Sequence, residues 1–292
     1  MSWLIVGTVP SENFPLTEGT CVLEKDGLRV GEQRIKIARG TPALIAAACA
    51  TADVLSIEHP RALLVGDTGK GEGSRQLYDY LADSADKRSE NGYSFHYLFP
   101  DVFWHNKILW KIESLSLKPM LVADAGYMYA AKMSGFASSY TLFTPDVGEM
   151  AFLADSQAPH PFYTRGFLLQ DENQVPDLIQ QAYTEGNAAQ YLLVKGQQDY
   201  VACEGEIIGT VSEPCVAAME PIGGTGDTLT GIVTAFLMDG YSVSDACMLS
   251  ARANRLTGFF ANPSPAFSIQ ELLPFLYRAV ESVLNKKCKN RA

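Results

Sequence analysis

The sequence predicts an α/β fold with a mostly parallel sheet that is covered by helices on both faces. Short apolar runs alternate with longer helical segments in both halves of the chain, and each run ends in a glycine or a polar residue. No change of composition separates two parts, so a single domain over residues 1–292 is predicted. Within it, residues 1–34 are predicted to form an N-terminal extension or edge strands.

The predicted elements follow from periodicity and turn residues. Helices are predicted at residues 43–55, 74–86 and 102–115 and in the segment after Asp227. Strands are predicted at residues 62–65, 95–99, 120–123, 140–143 and 191–194, with hairpins over 20–38 and 200–211. Ligands in such folds bind beyond the carboxyl ends of the strands, so the residues there are the first site candidates. They are Gly66, Asp124, Thr144 and Lys195.

Charge limits the classes of partner. The chain carries a formal net charge of −10, and such a surface repels phosphate backbones and anionic lipids. No nucleic acid and no membrane is therefore predicted as a partner. A nucleotide is still allowed, because backbone amides bind phosphate locally. The predicted partners are a nucleotide and a small-molecule substrate, and the sequence leaves a homo-oligomer open.

The six cysteines are far apart and form no C-x-x-C pair, which argues against a zinc site or a disulfide framework. The first residues do not combine a basic segment with a long apolar one, and no stretch approaches the ~20 apolar residues of a membrane-spanning helix. These features predict a cytoplasmic protein with reduced thiols. The four histidines are scattered outside any recognisable hydrolase pattern and are interpreted as structural.

The most informative segment is a glycine-rich turn at the start of a predicted helix. Gly223, Gly224 and Gly226 surround Thr225, and Asp227 follows directly. A helix start presents unpaired N–H groups and a partial positive charge, and glycines let a phosphate approach them. Asp227 is then placed to accept a proton from a substrate hydroxyl during phosphoryl transfer. The alternative is a plain helix cap, which explains one polar residue but not three glycines.

Three other strand ends carry candidate residues. The glycine-rich loop 66–74 lacks the Ser or Thr that a P-loop requires after its lysine, so it is either a ligand-facing loop or a surface turn. Asp146 and Glu149 match a helix-capping pattern, and Glu149 alternatively holds Mg²⁺ through water. Lys195 either lies near phosphate or is simply solvated.

Several of these segments resemble motifs of the ribokinase-like superfamily. The branch they resemble most is the ADP/ATP-dependent NAD(P)H-hydrate dehydratases, which have a carbohydrate kinase domain. The resemblance extends from about residue 35 to 260. Its segments are residues 223–231 (G-G-T-G-D-T-L-T-G, the superfamily signature), 144–150 (T-P-D-V-G-E-M for T-P-H-P-G-E), 193–196 (L-V-K-G for L-K-G), 121–125 (a strand that ends in D-A) and 65–69 (in place of G-P-G-L-G).

The resemblance implies a three-layer α/β/α sandwich and the use of ATP or ADP with Mg²⁺. It implies that Asp227 is the catalytic residue and that Glu149 serves Mg²⁺, through water. The implied nucleotide-binding residues are Lys195, Gly223, Gly224, Thr225, Gly226 and Asn254. The implied substrate-side residues are Gly66, Asp67, Gly69, Asp124 and Asp146.

The function that the resemblance implies is dehydration of NAD(P)H-hydrate. The nucleotide phosphorylates the hydroxyl of the hydrated ring, and phosphate then leaves to restore the nicotinamide. The sequence departs from the family on the substrate side, where Asp146-Val147 replaces His-Pro, and the segment from about Tyr80 to Lys118 is longer. Two alternatives therefore stay open. One is a kinase for a small alcohol such as a sugar or a vitamin precursor, and the other is a catalytically silent nucleotide-binding protein.

Overall fold

The computed structural model describes residues 1–160 and 174–289, with side chains described as far as residue 285. The chain divides into two compact units. The first contains Met1–Leu16 and Leu63–Thr210, and the second contains Thr17–Ala62 and Val211–Ala292. Each unit is thus built from two separate stretches of sequence. The single domain that the composition suggests stays a prediction.

The first unit is organised around a sheet of buried strands. With strands numbered in chain order, its members are β1 (Trp3–Val9), β5 (Arg61–Gly66), β6 (Gly92–His96), β7 (Met120–Ala123), β8 (Leu142–Phe143), β9 (Tyr191–Val194), β10 (Asp199–Cys203) and β11 (Glu206–Val211). Their order in the sheet is β11-β10-β9-β8-β7-β6-β1-β5. The strands β1, β6, β7, β8 and β9 pair in parallel, and β10 runs antiparallel to β9. The carboxyl ends of β7, β8 and β9 therefore lie at the same edge of this sheet.

The helices of the first unit pack around a core that is rich in aromatic rings. They are α2 (Glu72–Ser84), α3 (Val102–Glu113), α4 (Ala125–Met133), α5 (Val147–Ala154) and α6 (Val175–Thr184). In this core, the rings of Phe95 and Tyr127 stack with 4.1 Å between their centroids. His105 bonds to the Tyr140 hydroxyl at 2.8 Å, and both residues are buried. His105 therefore belongs to the core, as a structural histidine does.

Strand β1 lies inside the sheet, between β6 and β5. All seven of its residues are buried. This fits the sequence of the strand, because a strand that is covered on both faces does not alternate between apolar and polar residues. The indole of Trp3 donates a hydrogen bond of 2.9 Å to the Ser94 hydroxyl, and its ring fills the space left by Gly92, where a Cβ would lie 2.2 Å from the ring. The expectation of an extension or an edge strand is therefore wrong for Trp3–Val9.

The second unit combines a small antiparallel sheet with a helical layer. The sheet contains β2 (Thr17–Glu24), β3 (Gly27–Val30) and β4 (Gln33–Ile35), and the helices are α1 (Thr41–Leu55), α7 (Thr225–Met238), α8 (Val243–Ala261) and α9 (Ile269–Lys289). Helices α1 and α7 approach closely at Gly231, where a Cβ would lie 2.1 Å from the carbonyl oxygen of Leu44. Glycine is required there because any side chain would separate the two helices.

The predicted elements agree with the structure except in their limits. Strand β6 covers Gly92–His96 and not 95–99, because the chain turns at Tyr97, whose φ is 51°. Helix α1 begins at Thr41, two residues before the predicted start, since Pro42 fits the first turn of a helix. In the part of the chain that the structure describes, no helix is long and apolar enough to cross a membrane.

Candidate functional site

The glycine-rich turn opens helix α7 of the second unit. Gly224 is the N-cap residue with φ 107°, a conformation that favours glycine, and no side chain caps the helix. A Cβ on Gly224 would lie 2.8 Å from Cγ1 of Ile269 and 3.1 Å from Cα of Arg39. The next residues, Thr225 and Gly226, are only partly buried. The turn therefore presents the amides of a 14-residue helix without a competing side-chain cap.

Asp227 is held in place by the link between β4 and α1. Its side chain is buried, with 8% of the residue exposed, and its Oδ2 accepts a hydrogen bond of 2.5 Å from the amide of Gly40. Gly40 in turn has φ 70° and precedes the first residue of α1. The carboxylate of Asp227 is thus held from outside its own helix, and its role as a general base stays a prediction.

Asn254 of α8 positions the first turn of α7. Its Oδ1 accepts a hydrogen bond of 2.8 Å from the Thr228 hydroxyl, and its Nδ2 donates one of 3.1 Å to the carbonyl of Thr225. The resemblance implies a nucleotide contact for Asn254, and that contact stays a prediction. In the structure, the Asn254 side chain joins α8 to the first turn of α7 through these two bonds.

Sequence reasoning missed Arg39 and Gly40, which lie against the glycine-rich turn. The Cδ of Arg39 is 3.7 Å from the position that a Cβ of Gly223 would take. Arg39 is exposed, and its side chain has no hydrogen bond or ion pair with any residue that the structure describes. The helix-start signal Gly-Thr-Pro at 40–42 marks this segment in the sequence, but its contact with residue 227 is a tertiary one.

Four predicted residues come together at the sheet edge of the first unit. The ammonium of Lys195 contacts both carboxylate oxygens of Asp124, at 3.0 and 2.9 Å. Residues Asp146 and Lys195 form an isolated parallel bridge, which aligns the ends of the two chain segments. Burial opposes the charge on Lys195, but the Asp124 carboxylate raises its pKa above the ordinary lysine value. Lys195 is therefore charged and paired with a carboxylate.

Glu149 completes a capping box at the start of α5. Its Oε2 accepts the Asp146 amide at 2.9 Å, and the Asp146 side chain accepts the Glu149 amide at 2.8 Å. Its Oε1 accepts a hydrogen bond of 2.7 Å from the Tyr129 hydroxyl. Burial, with repulsion from Asp146 and Asp124, raises the pKa of Glu149 to about 8, although Lys195 opposes the shift. Its carboxyl group is thus mostly protonated at neutral pH.

The loop after β5 is anchored by Asp67. One carboxylate oxygen accepts the amides of Gly69 and Gly71 at 2.9 and 3.1 Å, and the other accepts the amide and hydroxyl of Ser74 at 2.9 and 2.8 Å. Burial opposes the charge, but these bonds lower the pKa of Asp67. Gly66 is packed so closely that a Cβ would lie 2.0 Å from the Ser11 carbonyl oxygen. The substrate-side role of these residues stays a prediction.

The predicted site residues thus fall into three groups. The turn at 223–227 and Asn254 come together in the second unit. The first unit brings together Asp124, Asp146, Glu149 and Lys195 and separately holds the loop that contains Gly66, Asp67 and Gly69.

The donor set does not form a resident magnesium site. Among the described residues, no three or more His, Cys, Asp or Glu side chains are arranged to hold a metal ion. Both oxygens of Glu149 already accept hydrogen bonds, and its raised pKa disfavours the ionised form that a hard cation requires. The Mg²⁺ assigned to Glu149 stays a prediction in which the ion arrives with the nucleotide and contacts the carboxylate through water.

Comparison with known proteins identifies the family. The family model described as NAD(P)H-hydrate dehydratase, a carbohydrate kinase model, matches residues 102–271, which is more than half of the chain and includes the turn at 223–227. The chain belongs to this carbohydrate kinase family. Its members are nucleotide-dependent enzymes of the ribokinase-like kind, so that part of the sequence prediction is confirmed.

Two curated proteins are similar to this member of the carbohydrate kinase family. An uncharacterised protein of Methanocaldococcus jannaschii is 38% identical over 242 residues, which cover 82% of this chain and 100% of that protein. The bifunctional NAD(P)H-hydrate repair enzyme Nnr of Pyrobaculum aerophilum is 28% identical over 177 residues. That match covers 58% of this chain but only 32% of the Nnr protein, so it concerns about a third of the larger enzyme.

Solved structures show the same fold. A phosphofructokinase-2 variant of Escherichia coli aligns with a TM-score of 0.58 at 14% identity, covering 96% of this chain and 99% of that one. The pyridoxal kinase of Staphylococcus aureus aligns with a TM-score of 0.53 at 12% identity, covering 88% of each chain. At these identities the similarity concerns the fold alone, and it confirms the predicted ribokinase-like α/β class.

The close packing at the turn predicts different results for two adjacent glycines. Gly224→Ala should lower the free energy of unfolding by about 1–3 kcal/mol, because it adds a methyl against Ile269 in an unfavourable backbone conformation. Gly223→Ala is the matched control and should change it by less than about 0.5 kcal/mol, since its methyl would meet only Cδ of Arg39. Urea unfolding measures both values, and equal values would contradict the described geometry.

The raised pKa of Glu149 predicts a stability that depends on pH. The folded state keeps a proton that the unfolded state releases once the pH exceeds the ordinary carboxyl pKa. The proton on Glu149 therefore adds its full stabilisation to the free energy of unfolding below about pH 4.5. This stabilisation is lost as the pH rises towards about 8, by up to about 1.4 kcal/mol per pH unit.

Glu149→Gln should remove most of this dependence of the free energy of unfolding on pH. Glu185→Gln, at an exposed position, should keep it. Urea unfolding at pH 5.5 and pH 8 in a metal-free buffer measures the difference. If the Glu149→Gln protein lost as much stability between these values as the unmodified protein, the assigned shift would be incorrect.

Proposed function

We propose that this enzyme uses ATP or ADP to dehydrate NAD(P)H-hydrate, with Asp227 as the general base and the α7 turn as the phosphate site. The observation that supports this most is the pairing of an uncapped helix start with a carboxylate fixed beside it. The Gly40 amide holds Oδ2 of Asp227, which is buried in the first turn of α7 directly after the glycine-rich segment. The family match and the similarity to the Nnr enzyme support the choice of substrate.

In the proposed reaction the chain binds and orients the reacting groups. The amides of Thr225 and Gly226 donate to the oxygens of the transferring phosphoryl group, where negative charge develops. Asp227 accepts the proton of the substrate hydroxyl while the substrate oxygen bonds to phosphorus and the bond to the nucleotide breaks. The carbon–oxygen bond of the product then breaks, phosphate leaves with the electron pair, and loss of a proton from the adjacent carbon restores the ring double bond.

Arg39 adds charge to the same turn in this proposal. It lies beside Gly223, and its side chain has no partner among the described residues. A guanidinium donates to two phosphate oxygens at once, which suits it to an anion held at a helix start. We therefore assign Arg39 to the phosphates of the nucleotide, as a ligand that the sequence motifs do not include.

A second candidate function is a kinase for a small alcohol. The Asp146-Val147 pair, in place of His-Pro, favours it because this change lies on the substrate side and leaves the turn at 223–227 intact. The two reactions share the phosphoryl transfer and differ in the product. Free phosphate with recovered NADPH indicates the dehydratase, whereas a phosphorylated alcohol indicates the kinase. A silent nucleotide-binding protein would give neither product.

The role of Asp227 is tested by Asp227→Asn in an assay with nucleotide, Mg²⁺ and hydrated NADPH. The asparagine keeps the shape but accepts no proton, so kcat should fall by roughly 10²–10⁴ while nucleotide affinity changes little. Asp239→Asn, at the exposed far end of the same helix, is the control and should keep full turnover. NADPH absorbance and phosphate release are followed together.

Unchanged turnover in the Asp227→Asn protein would reject the general-base assignment. If the unmodified protein binds nucleotide but recovers no NADPH, the substrate assignment fails, and small alcohols become the next substrates to test. If no nucleotide shifts its melting temperature, the nucleotide site itself is misplaced, because a bound ligand stabilises the folded state.

Arg39→Ala should weaken nucleotide binding about tenfold, which corresponds to the loss of one charge-assisted contact of roughly 1.5 kcal/mol. Arg34→Ala is the control, because Arg34 is also exposed, lies five residues earlier and forms an ion pair of 3.4 Å with Glu24. Calorimetric titration with ATP gives both dissociation constants. Equal constants for the two variants would exclude Arg39 from the phosphate site.

A further inference from the structure

Tyr97 is an exposed aromatic residue at the carboxyl edge of the sheet of the first unit. It directly follows β6, which pairs in parallel with β1 on one side and with β7 on the other. The residue is 52% exposed, whereas Leu98 next to it is buried. In sheets of this kind ligands bind beyond the carboxyl ends of the strands, so Tyr97 lies where a ligand is expected. The reaction proposed above gives it no task.

The backbone of Tyr97 takes a conformation that bulky residues rarely adopt. Its φ is 51°, in the left-handed region that glycine, asparagine and aspartate favour. Ala125, which follows Asp124 at the end of the neighbouring strand β7, also has a φ of 51°. Such conformations persist only where surrounding contacts impose them, and they concentrate at ligand sites. Since the backbone disfavours tyrosine at position 97, the reason for its presence lies in the side chain.

Hydrogen bonds from two directions hold the turn that carries this ring. The hydroxyl of Thr8 in β1 donates to the carbonyl oxygen of Tyr97 at 2.7 Å. Two residues further on, the amide of Phe99 donates to the Ser74 hydroxyl at 3.0 Å. That hydroxyl itself donates to the carboxylate of Asp67 at 2.8 Å. The turn is therefore tied to the glycine-rich loop after β5, and a ring held in this way loses little freedom when a ligand binds.

The Tyr97 ring also contacts the charged cluster at the sheet edge. The ring of the buried His96 meets it edge to face, with 4.5 Å between the centroids and 86° between the planes. Nε2 of His96 lies 3.7 Å from Oδ2 of Asp124, whose carboxylate pairs with Lys195. An edge-to-face contact covers at most one face of the tyrosine ring. His96 therefore leaves the other face to a further molecule.

We propose that Tyr97 stacks against a flat heterocyclic ring of the substrate and so selects substrates that carry one. The inference rests on the proposed function, because NAD(P)H-hydrate contains an adenine ring and a ring derived from nicotinamide. Its contacts connect Tyr97 to two of the predicted substrate-side residues, Asp67 and Asp124. Stacking on an aromatic side chain requires only that the ligand has a π-face. A sugar has none, whereas a vitamin precursor with a flat ring does.

Calorimetric titration with NADPH, the stable product of the proposed reaction, tests this role. A saturating, non-hydrolysable ATP analogue keeps NADPH out of the nucleotide site. Tyr97→Ala should raise the dissociation constant of NADPH at least about tenfold, because one stacked ring contributes about that much. Tyr97→Phe keeps the ring and should restore most of the affinity.

Tyr80→Ala is the matched control, because Tyr80 is a tyrosine of the same unit that is 42% exposed on α2. It should bind NADPH as the unmodified protein does. The dissociation constant of the ATP analogue alone should be the same in all these proteins. The unmodified protein and the Tyr97→Ala protein are also titrated with pyridoxal, an alcohol with a flat ring, and with ribose, a sugar.

Failure of this inference and failure of the proposed function give different results. If Tyr97→Ala binds NADPH as tightly as the unmodified protein, the stacking role is wrong and the proposed substrate stands. If the unmodified protein binds pyridoxal but not NADPH, and Tyr97→Ala weakens pyridoxal binding, the proposed substrate is wrong and the stacking role is supported.

Three further results would overturn the stacking role. The first is binding of ribose alone, or of none of the three compounds. The second is pyridoxal binding without NADPH binding that Tyr97→Ala leaves unchanged. The third is a Tyr97→Phe protein that binds NADPH as weakly as Tyr97→Ala, because the hydroxyl and not the ring would then make the contact.

Discussion

The hydrogen bond from the Gly40 amide to Asp227 is the contact on which the candidate chemistry depends. A helix start alone offers amides to many anions, and an aspartate in its first turn is most often a simple stabilising charge. The bond from Gly40 adds a contact from outside the helix, because it fixes one carboxylate oxygen of Asp227 against the start of α1. Gly224 makes the bond possible, since only a residue without a side chain lets the 38–40 segment lie this close.

The first unit shows a different way to hold charge. Asp124 and Lys195 pair at the ends of two parallel strands, and both side chains are largely withdrawn from water. Removing either partner leaves an uncompensated charge, so such a pair constrains its surroundings more than it stabilises them. Glu149 lies in the same cluster, where it is more easily kept protonated than ionised. At this edge of the sheet a buried carboxylate is neutralised by an ammonium group. In the second unit the Asp227 carboxylate is instead bound by a backbone amide.

Much of this could be predicted from the sequence, and the rest depends on contacts between distant residues. The alternating pattern predicts most strands and helices, and the glycine-rich run at 223–226 predicts a helix start where α7 begins. Strand β1 was missed because a short apolar run without turn signals is ambiguous. The arrangement of Arg39 and Gly40 was missed because 187 residues separate Gly40 from Asp227. No local rule predicts that Asp67 uses both oxygens to hold its own loop.

The two-segment construction of the second unit has a consequence for biosynthesis. Helix α1 leaves the ribosome early, but its neighbour α7 follows only after the whole of the first unit. At ordinary elongation speeds the delay is roughly ten to forty seconds. Throughout that time the Ala-rich surface of α1, which is almost entirely buried in the finished protein, lacks its packing partner. The contact between Gly40 and Asp227 can therefore form only after this delay, when both stretches of the second unit have been synthesised.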